Sequence, residues 1–296
     1  MLKHAMNRAL ARVSGYRLTR TTQPATASLD TELKRASAKL ARSRKNLGAA
    51  RARARRAEAD ARRARRALDR AKRVPTYYDA PAVDTIRRVK QRTMTDHVKL
   101  FGLIEATRYV VGAGVEGDIV ECGVWRGGSM QAVALTLLEQ GVGDRGLHLF
   151  DTFEGMPPPT EEDRRGETSA QEMLEAHDKD HRVWAVAGLD DVREAMREVR
   201  YPAEHVHFHE GLVEDTIPGQ APDRIALLRL DTDWYESTRH ELEHLYERLA
   251  PGGVLILDDY GDWEGARKAT DEFLAGLDQP LFLQPLGSGR LVVKPR

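Results

Sequence analysis

Two apolar runs, each long enough for one strand, constrain this chain more than any other feature. They read Ala226-Leu-Leu-Arg-Leu-Asp231 and Val254-Leu-Ile-Leu-Asp258, and both stop abruptly on carboxylates. An Ala/Leu/Ile/Val run bounded by turn or charge signals is expected of a strand buried on both faces of a parallel sheet. In such sheets ligands sit beyond the carboxyl ends of the strands. Asp231, Asp233, Asp258 and Asp259 are therefore expected to converge where an α/β protein does its chemistry. That much like charge repels itself unless a cation or protons neutralise it. Oxygen-only ligands, with no Cys or His nearby, point to a hard divalent ion such as Mg²⁺ rather than zinc. The alternative is that each aspartate caps the helix following its strand. Capping accounts for one Asp per strand end and poorly for Asp-x-Asp followed by Asp-Asp.

The surrounding pattern alternates strand and helix. Strands are expected near 118–123, 147–151, 204–209, 225–231, 253–258, 281–284 and 290–294. Helices are expected near 128–140, 189–198, 235–249 and 264–276. This predicts a doubly wound α/β sheet. Gly287-Ser-Gly289 lies between the last two strands and predicts an antiparallel hairpin at one edge. Upstream, Pro75 through Pro81, with Tyr77 and Tyr78, are expected to form a linker, and 82–112 has helical spacing interrupted at Thr93-Met94-Thr95-Asp96, where Thr95 or Asp96 would cap a second helix. Residues 152–187, with Pro157-Pro-Pro159, are too long for an ordinary connection and are expected to form a lid. His205, His207 and His209 are expected to form a solvated stripe on one strand, and His240 and His244 a surface helical face. Trp234-Tyr235 is placed either to stack on a ligand ring or to pack the next helix.

The formal charge of zero hides two different objects. Residues 1–75 hold 22 Lys/Arg against 5 Asp/Glu, leaving 24 against 41 in 76–296. Residues 1–30 begin as a basic amphipathic segment, and 31–75 form an Ala/Arg-rich long helix; 76–296 form the α/β domain. Leu33, Leu40, Leu47, Ala54, Ala61 and Leu68 fall seven apart, with a second small-residue row three further on. That seam predicts a weak coiled coil through which the protein self-associates as a homo-oligomer. A basic helix that follows a phosphate backbone is disfavoured, because no aromatic residues are interleaved with the charges. Contact with an anionic membrane surface is the lesser reading of 1–30. The single Cys122 fits a reducing compartment, and no apolar run approaches a membrane span of about 20 residues. The N-terminus lacks the apolar stretch of a signal peptide, so a cytoplasmic protein is expected.

The first strand runs Asp118-Ile-Val-Glu121-Cys-Gly123-Val-Trp125-Arg-Gly-Gly-Ser129 into a helix. Glycines at a strand–helix turn let the backbone approach a ligand. The second strand ends on Asp151, placed to accept hydrogen bonds from a ribose diol. Together they imply a nucleoside ligand. Asp118 and Cys122 are expected to be structural.

Four segments carry a resemblance. Glu121-Cys-Gly-Val-Trp-Arg-Gly-Gly-Ser, Phe150-Asp-Thr-Phe-Glu-Gly-Met-Pro157, Leu230-Asp-Thr-Asp-Trp-Tyr235 and Leu257-Asp-Asp-Tyr260 resemble the macrocin O-methyltransferase family. That family includes the mycinamicin and novobiocin sugar O-methyltransferases. The likeness covers roughly 90–280, outside residues 1–75. It implies a class I methyltransferase fold, S-adenosylmethionine, Mg²⁺ and a small-molecule or glycan diol as acceptor. Carried over, Asp231, Asp258 and Asp259 would hold the metal and Asp233 would be the general base. Glu121, Gly123, Trp125, Ser129 and Asp151 would line the cofactor site, with Thr93 and Met94 closing over it. Two rivals are a methyltransferase of a catechol-like diol and a non-catalytic helical scaffold.

Overall fold

The computed structural model describes residues 25–71 and 75–296, so the basic segment before Ala25 lies outside the described residues. The chain divides into two units, Met1–Arg73 and Val74–Arg296. In the first, helix α1 (Ala25–Ala71) runs 47 residues without a break, a length of about 70 Å at 1.5 Å per residue. Its alanines and arginines are strong helix formers. The seam leucines Leu33, Leu40 and Leu47 are 69%, 54% and 52% exposed. No helix among the described residues is long and apolar enough to cross a membrane.

The second unit begins with two helices, α2 (Ala80–Val89) and α3 (His97–Gly112). Asp79 caps α2 through the Ala82 amide, and Asp96 caps α3 through the amides of Val98 and Lys99. Of the two candidate caps for α3, Asp96 is the one used. Tyr78 belongs to the core rather than to a linker: it is 7% exposed and stacks on Phe101 at 3.7 Å.

The sheet strands are β1 (Asp118–Cys122), β2 (Leu147–Asp151), β5 (Val206–Glu210), β6 (Ile225–Leu230), β7 (Leu249–Leu257), β8 (Gln284–Leu286) and β9 (Gly289–Val293). Two dipeptide strands, β3 (Arg164–Arg165) and β4 (Thr168–Ser169), form a separate hairpin. The intervening helices are α4 (Gly128–Glu139), α5 (Ala170–Glu175), α6 (Leu189–Glu198), α7 (Val213–Thr216), α8 (Tyr235–Leu245) and α9 (Glu264–Ala275). The main sheet is ordered β5-β2-β1-β6-β7-β9-β8. The first five are parallel neighbours, and β9 runs antiparallel to both β7 and β8. The doubly wound sheet with its antiparallel end is the architecture the sequence predicts. The hairpin begins at Gln284, three residues later than expected, and turns at Gly287-Ser288.

Both faces of the sheet are covered, which is why its central strands read as apolar runs. One core gathers Ile119, Leu149, Leu227 and Ile256 with Leu103 and Val133 of α3 and α4. The other gathers Val120, Phe150, Leu228 and Leu257 with Leu242 and Leu245 of α8. Strands β1, β6 and β7 are in register, so Glu121 lies beside Arg229 and Arg229 beside Ile256. That register sets charged groups at the carboxyl ends of three adjacent strands.

The histidine stripe differs from expectation. His205 sits in a 3₁₀ turn before β5. His209 is half-buried, bonded through Nε2 to Nδ1 of His148 at 3.0 Å, and His148 reaches Asp118 at 3.2 Å. His207 stays exposed against the His148 ring. His148, on the neighbouring strand β2, draws the stripe into the sheet. His240 is also half-buried, with its Nε2 at 3.0 Å from the Ile217 carbonyl, while His244 is exposed.

Candidate active site

A cavity of about 610 Å³ opens at the carboxyl ends of β1, β2, β6 and β7. Its size is that of a small-molecule site. Gly123, Trp125, Ser129 and Asp151 line one part of it, with Thr93 and Met94 from the turn before α3. Asp231, Asp233, Asp258 and Asp259 line another part. Ten of the eleven residues singled out from the sequence thus meet in one space. Glu121 does not line it; the side chain is 1% exposed and pairs with Arg229 beneath the cavity floor.

Gly123 fits because nothing larger could. Its φ is +81°, and a Cβ there would lie 2.0 Å from the Asp231 carbonyl oxygen. Loss of that glycine would push apart the ends of β1 and β6. At Gly128 a Cβ would lie 2.5 Å from the Arg92 backbone. The start of α4 and the segment before Thr93 are thereby held together, with the Gly128 amide donating to the Arg92 carbonyl.

Asp151 braces this turn. Oδ2 accepts from the amides of Val124 (2.7 Å) and Trp125 (2.9 Å), and Oδ1 from Phe153 (2.8 Å). Three backbone amides thus converge on its two oxygens, two of them on Oδ2. Burial raises its pKa above the usual carboxylate range.

The acidic half is a charge network. The carboxylate oxygens of Asp231, Asp258 and Asp259 come within 4.8 Å of one another, and no other trio of Asp, Glu, His or Cys does so among the described residues. Two resident cations meet them. Arg229, 2% exposed, donates to Glu121, to Asp231 at 2.7 Å and to Asp258 at 2.7 Å. It also reaches the Thr95 hydroxyl at 2.9 Å. Lys99 donates to Asp258 Oδ2 (2.7 Å), the Asp258 carbonyl (2.9 Å) and Asp262 (3.2 Å). Burial opposes both charges, but the carboxylates outweigh it and hold both cations protonated. Burial likewise raises Asp258, yet Arg229 and Lys99 bring it below its ordinary value.

The remaining carboxyls are pushed up. Burial raises Glu121 to about 7 against the pull of Arg229. Burial and the Asp231 carboxylate raise Asp233 to about 7. Asp259 rises well above its ordinary value through burial and the charges of Asp233 and Asp258. Asp231 does so through burial, against Arg229. Asp233 has φ +67°, a left-handed conformation that Asp tolerates better than most residues. Its amide donates to Asp259 at 3.1 Å, and its carboxyl hydrogen-bonds the Trp263 side chain. The Asp231, Asp258 and Asp259 donors are all hard oxygens, which suits Mg²⁺. The two resident cations leave the cluster of acids in excess, so a divalent ion fits the charge as well as the donor set.

Residues 152–187 fold over this end of the sheet. Asp163, fully buried, accepts from the Tyr235 amide at 2.7 Å and from the Thr160 amide and hydroxyl. Trp234 Nε1 donates to the Pro157 carbonyl at 2.9 Å, and its ring meets Trp263 edge-on at 4.9 Å. Trp234 therefore packs the arm and also lines the cavity. Arg229, Lys99 and Asp163 were missed from the sequence. Arg229 had a signal: a charge inside a strand buried on both faces requires a partner. Lys99 and Asp163 had none, since their partners lie 159 and 72 residues away.

The sheet order and a site at the strand ends define a class I methyltransferase. Residues 23–282 match the Macrocin-O-methyltransferase (TylF) family, and the chain belongs to that family. The matched span begins earlier than the four motifs suggest and takes in α1. A Streptomyces olivaceus relative, 8-demethyl-8-(2,3-dimethoxy-alpha-L-rhamnosyl)-tetracenomycin-C 4'-O-methyltransferase, is 35% identical over 64% of this chain and 70% of its own. The demethyldecarbamoylnovobiocin O-methyltransferase of Streptomyces niveus is 34% identical over 63% of this chain and 69% of its own. The solved structure of the O-methyltransferase NovP superposes with a TM-score of 0.61 at 32% identity, over 69% of this chain and 83% of that one. The protein is a methyltransferase, and S-adenosylmethionine is the cofactor that its family and fold imply.

Proposed function

We propose that the protein transfers a methyl group from S-adenosylmethionine to a sugar hydroxyl of a natural-product glycoside or other glycan, with Mg²⁺ as an aid. The observation that carries this reading is the set of four aspartates at two adjacent strand ends. Three have oxygens within 4.8 Å of one another, and the fourth, Asp233, stands outside that trio. The relatives' sugar acceptors support the choice of substrate class.

Gly123, Trp125, Ser129 and Asp151 would seat the cofactor, with Thr93 and Met94 at its edge. Asp231, Asp258 and Asp259 would hold the ion. When bound, Mg²⁺ supplies a chelate for two vicinal hydroxyls and lowers their pKa. Asp233, raised to about 7, is tuned to take a proton near neutral pH. Glu121, Arg229 and Lys99 act from beneath as positioning residues. Trp234 and the 152–187 arm exclude water from the reacting oxygen. Helix α1 would serve self-association, and 76–296 would form the catalytic domain; sedimentation equilibrium with and without residues 1–74 tests that division.

Asp233→Asn tests the base. Asn also tolerates a positive φ, so the variant removes charge without straining the backbone. Turnover is expected to fall about 10²–10⁴-fold, with Mg²⁺ affinity changed by a few-fold at most. Unchanged turnover would remove Asp233 from that role.

A further inference from the structure

Two arginines of the 152–187 arm stand at the cavity, and the methyl-transfer reading leaves both unused. Arg165 and Arg182 both line it. Among the described residues, neither meets a carboxylate within 4 Å. Lys99, the other cation of the cavity wall, is bound to Asp258 and Asp262, and nearby Lys268 to Glu162 at 2.5 Å. Residues 76–296 carry 41 acids against 24 bases. In so acidic a unit, two arginines on one cavity wall with no carboxylate within 4 Å leave that part of the wall positively charged.

Arg165 is also fixed in direction. Its guanidinium lies 4.5 Å over the Trp263 ring, and its Nε donates to the Asp262 carbonyl at 3.1 Å. This anchors the inner edge of the fork and leaves both Nη groups without a protein partner among the described residues. A planar fork held this way matches the oxygens of a phosphate or carboxylate. Trp263 in turn contacts the Asp233 carboxyl, so Arg165 stands one side chain away from the base. An anion held there belongs to the sugar that reacts or to its anomeric substituent, rather than to a distant part of the acceptor.

We propose that the acceptor is an anionic glycoside, carrying a phosphate or a carboxylate that Arg165 and Arg182 receive on the inner face of the arm. This rests on the sugar O-methyltransferase reading and narrows it. It implies that methylation acts on a sugar still bearing a charged group, as a glycosyl phosphate or a uronate, rather than on a neutral finished glycoside.

The test is isothermal titration of the full-length, metal-free protein saturated with S-adenosylhomocysteine. Three probes share one sugar: glucose 1-phosphate, methyl β-D-glucuronide and methyl β-D-glucoside. At least one charged probe is expected to bind about 10-fold or more tightly than the neutral one. That advantage should be lost in an Arg165→Gln/Arg182→Gln variant and reduced by 300 mM NaCl. Whichever charged probe leads identifies phosphate or carboxylate as the group recognised. Equal binding of all three, or anion binding unchanged in the variant, overturns the inference. Separately, failure of the wild type to methylate any sugar with Mg²⁺ present would count against the sugar reading, while anion binding lost in the variant would still establish the subsite.

Discussion

Replacing Arg229 by Met probes whether the acidic cluster depends on its buried counter-charge. Met retains the apolar stem that packs between β1 and β7, so the volume term is small. The charge term is large. Among the described residues Glu121, 1% exposed, loses its only cation, and its Oε2 has no partner there even before the change. Asp231 loses a contact of 2.7 Å, whereas Asp258 keeps Lys99. Breaking a buried ion pair by removing one member costs about 3–5 kcal/mol. For a unit of this size each kcal/mol lowers Tm by about 2–4 °C, so a fall of roughly 6–20 °C is expected. Protonation relieves an orphaned carboxylate, so the fall should be smaller at pH 5.5 than at pH 8. Thermal melts of both proteins at the two pH values, without metal, measure it. A fall below about 2 °C, or one of equal size at both pH values, would refute the reasoning.

Two further predictions follow from the same geometry. Glu121 and Asp233 have folded values of about 7 against ordinary values of 4.5 and 3.8, so the folded protein binds protons the unfolded chain does not. Their stabilisation is complete below about pH 4 and is lost as pH rises through 7; Glu121 contributes about 3 kcal/mol and Asp233 about 4 kcal/mol by the worth of a pKa unit. Metal-free protein should therefore melt lower at pH 7.5 than at pH 5, and a melt series that rises instead would contradict this. Gly123→Ala sets a Cβ 2.0 Å from the Asp231 carbonyl at a positive φ. It should cost about 4 kcal/mol or more and weaken cofactor and Mg²⁺ together, as calorimetry of the variant would show; loss of one ligand alone would argue against a shared wall.

The sheet was legible because its central strands are buried on both faces, which forces an uninterrupted apolar run and a sharp stop at the site. The aspartates stood out as charges at those stops. Arg229, inside such a run, signalled only that a buried charge requires a partner; the register that sets it beside Glu121 identifies that partner. Lys99 lies on α3 among residues spaced for a core, and its partners are fixed by how that helix crosses the end of β7. The same limit applies to Tyr78, whose place in a Pro-flanked stretch suggested a linker until Phe101 supplied a ring to stack on. Asp151 shows the opposite case: its position was legible, but its use by three backbone amides depends on a turn that Gly123 shapes. Tertiary pairing decides such roles, and local pattern carries little of it.

The most direct measurement is calorimetric titration with S-adenosylmethionine and then Mg²⁺, on the wild type and on an Asp258→Ala/Asp259→Ala variant. The wild type should bind both, and the variant should keep the cofactor while losing the metal. Metal binding that survives in the variant, or a wild type that binds neither ligand, would contradict metal-assisted methyl transfer at this site.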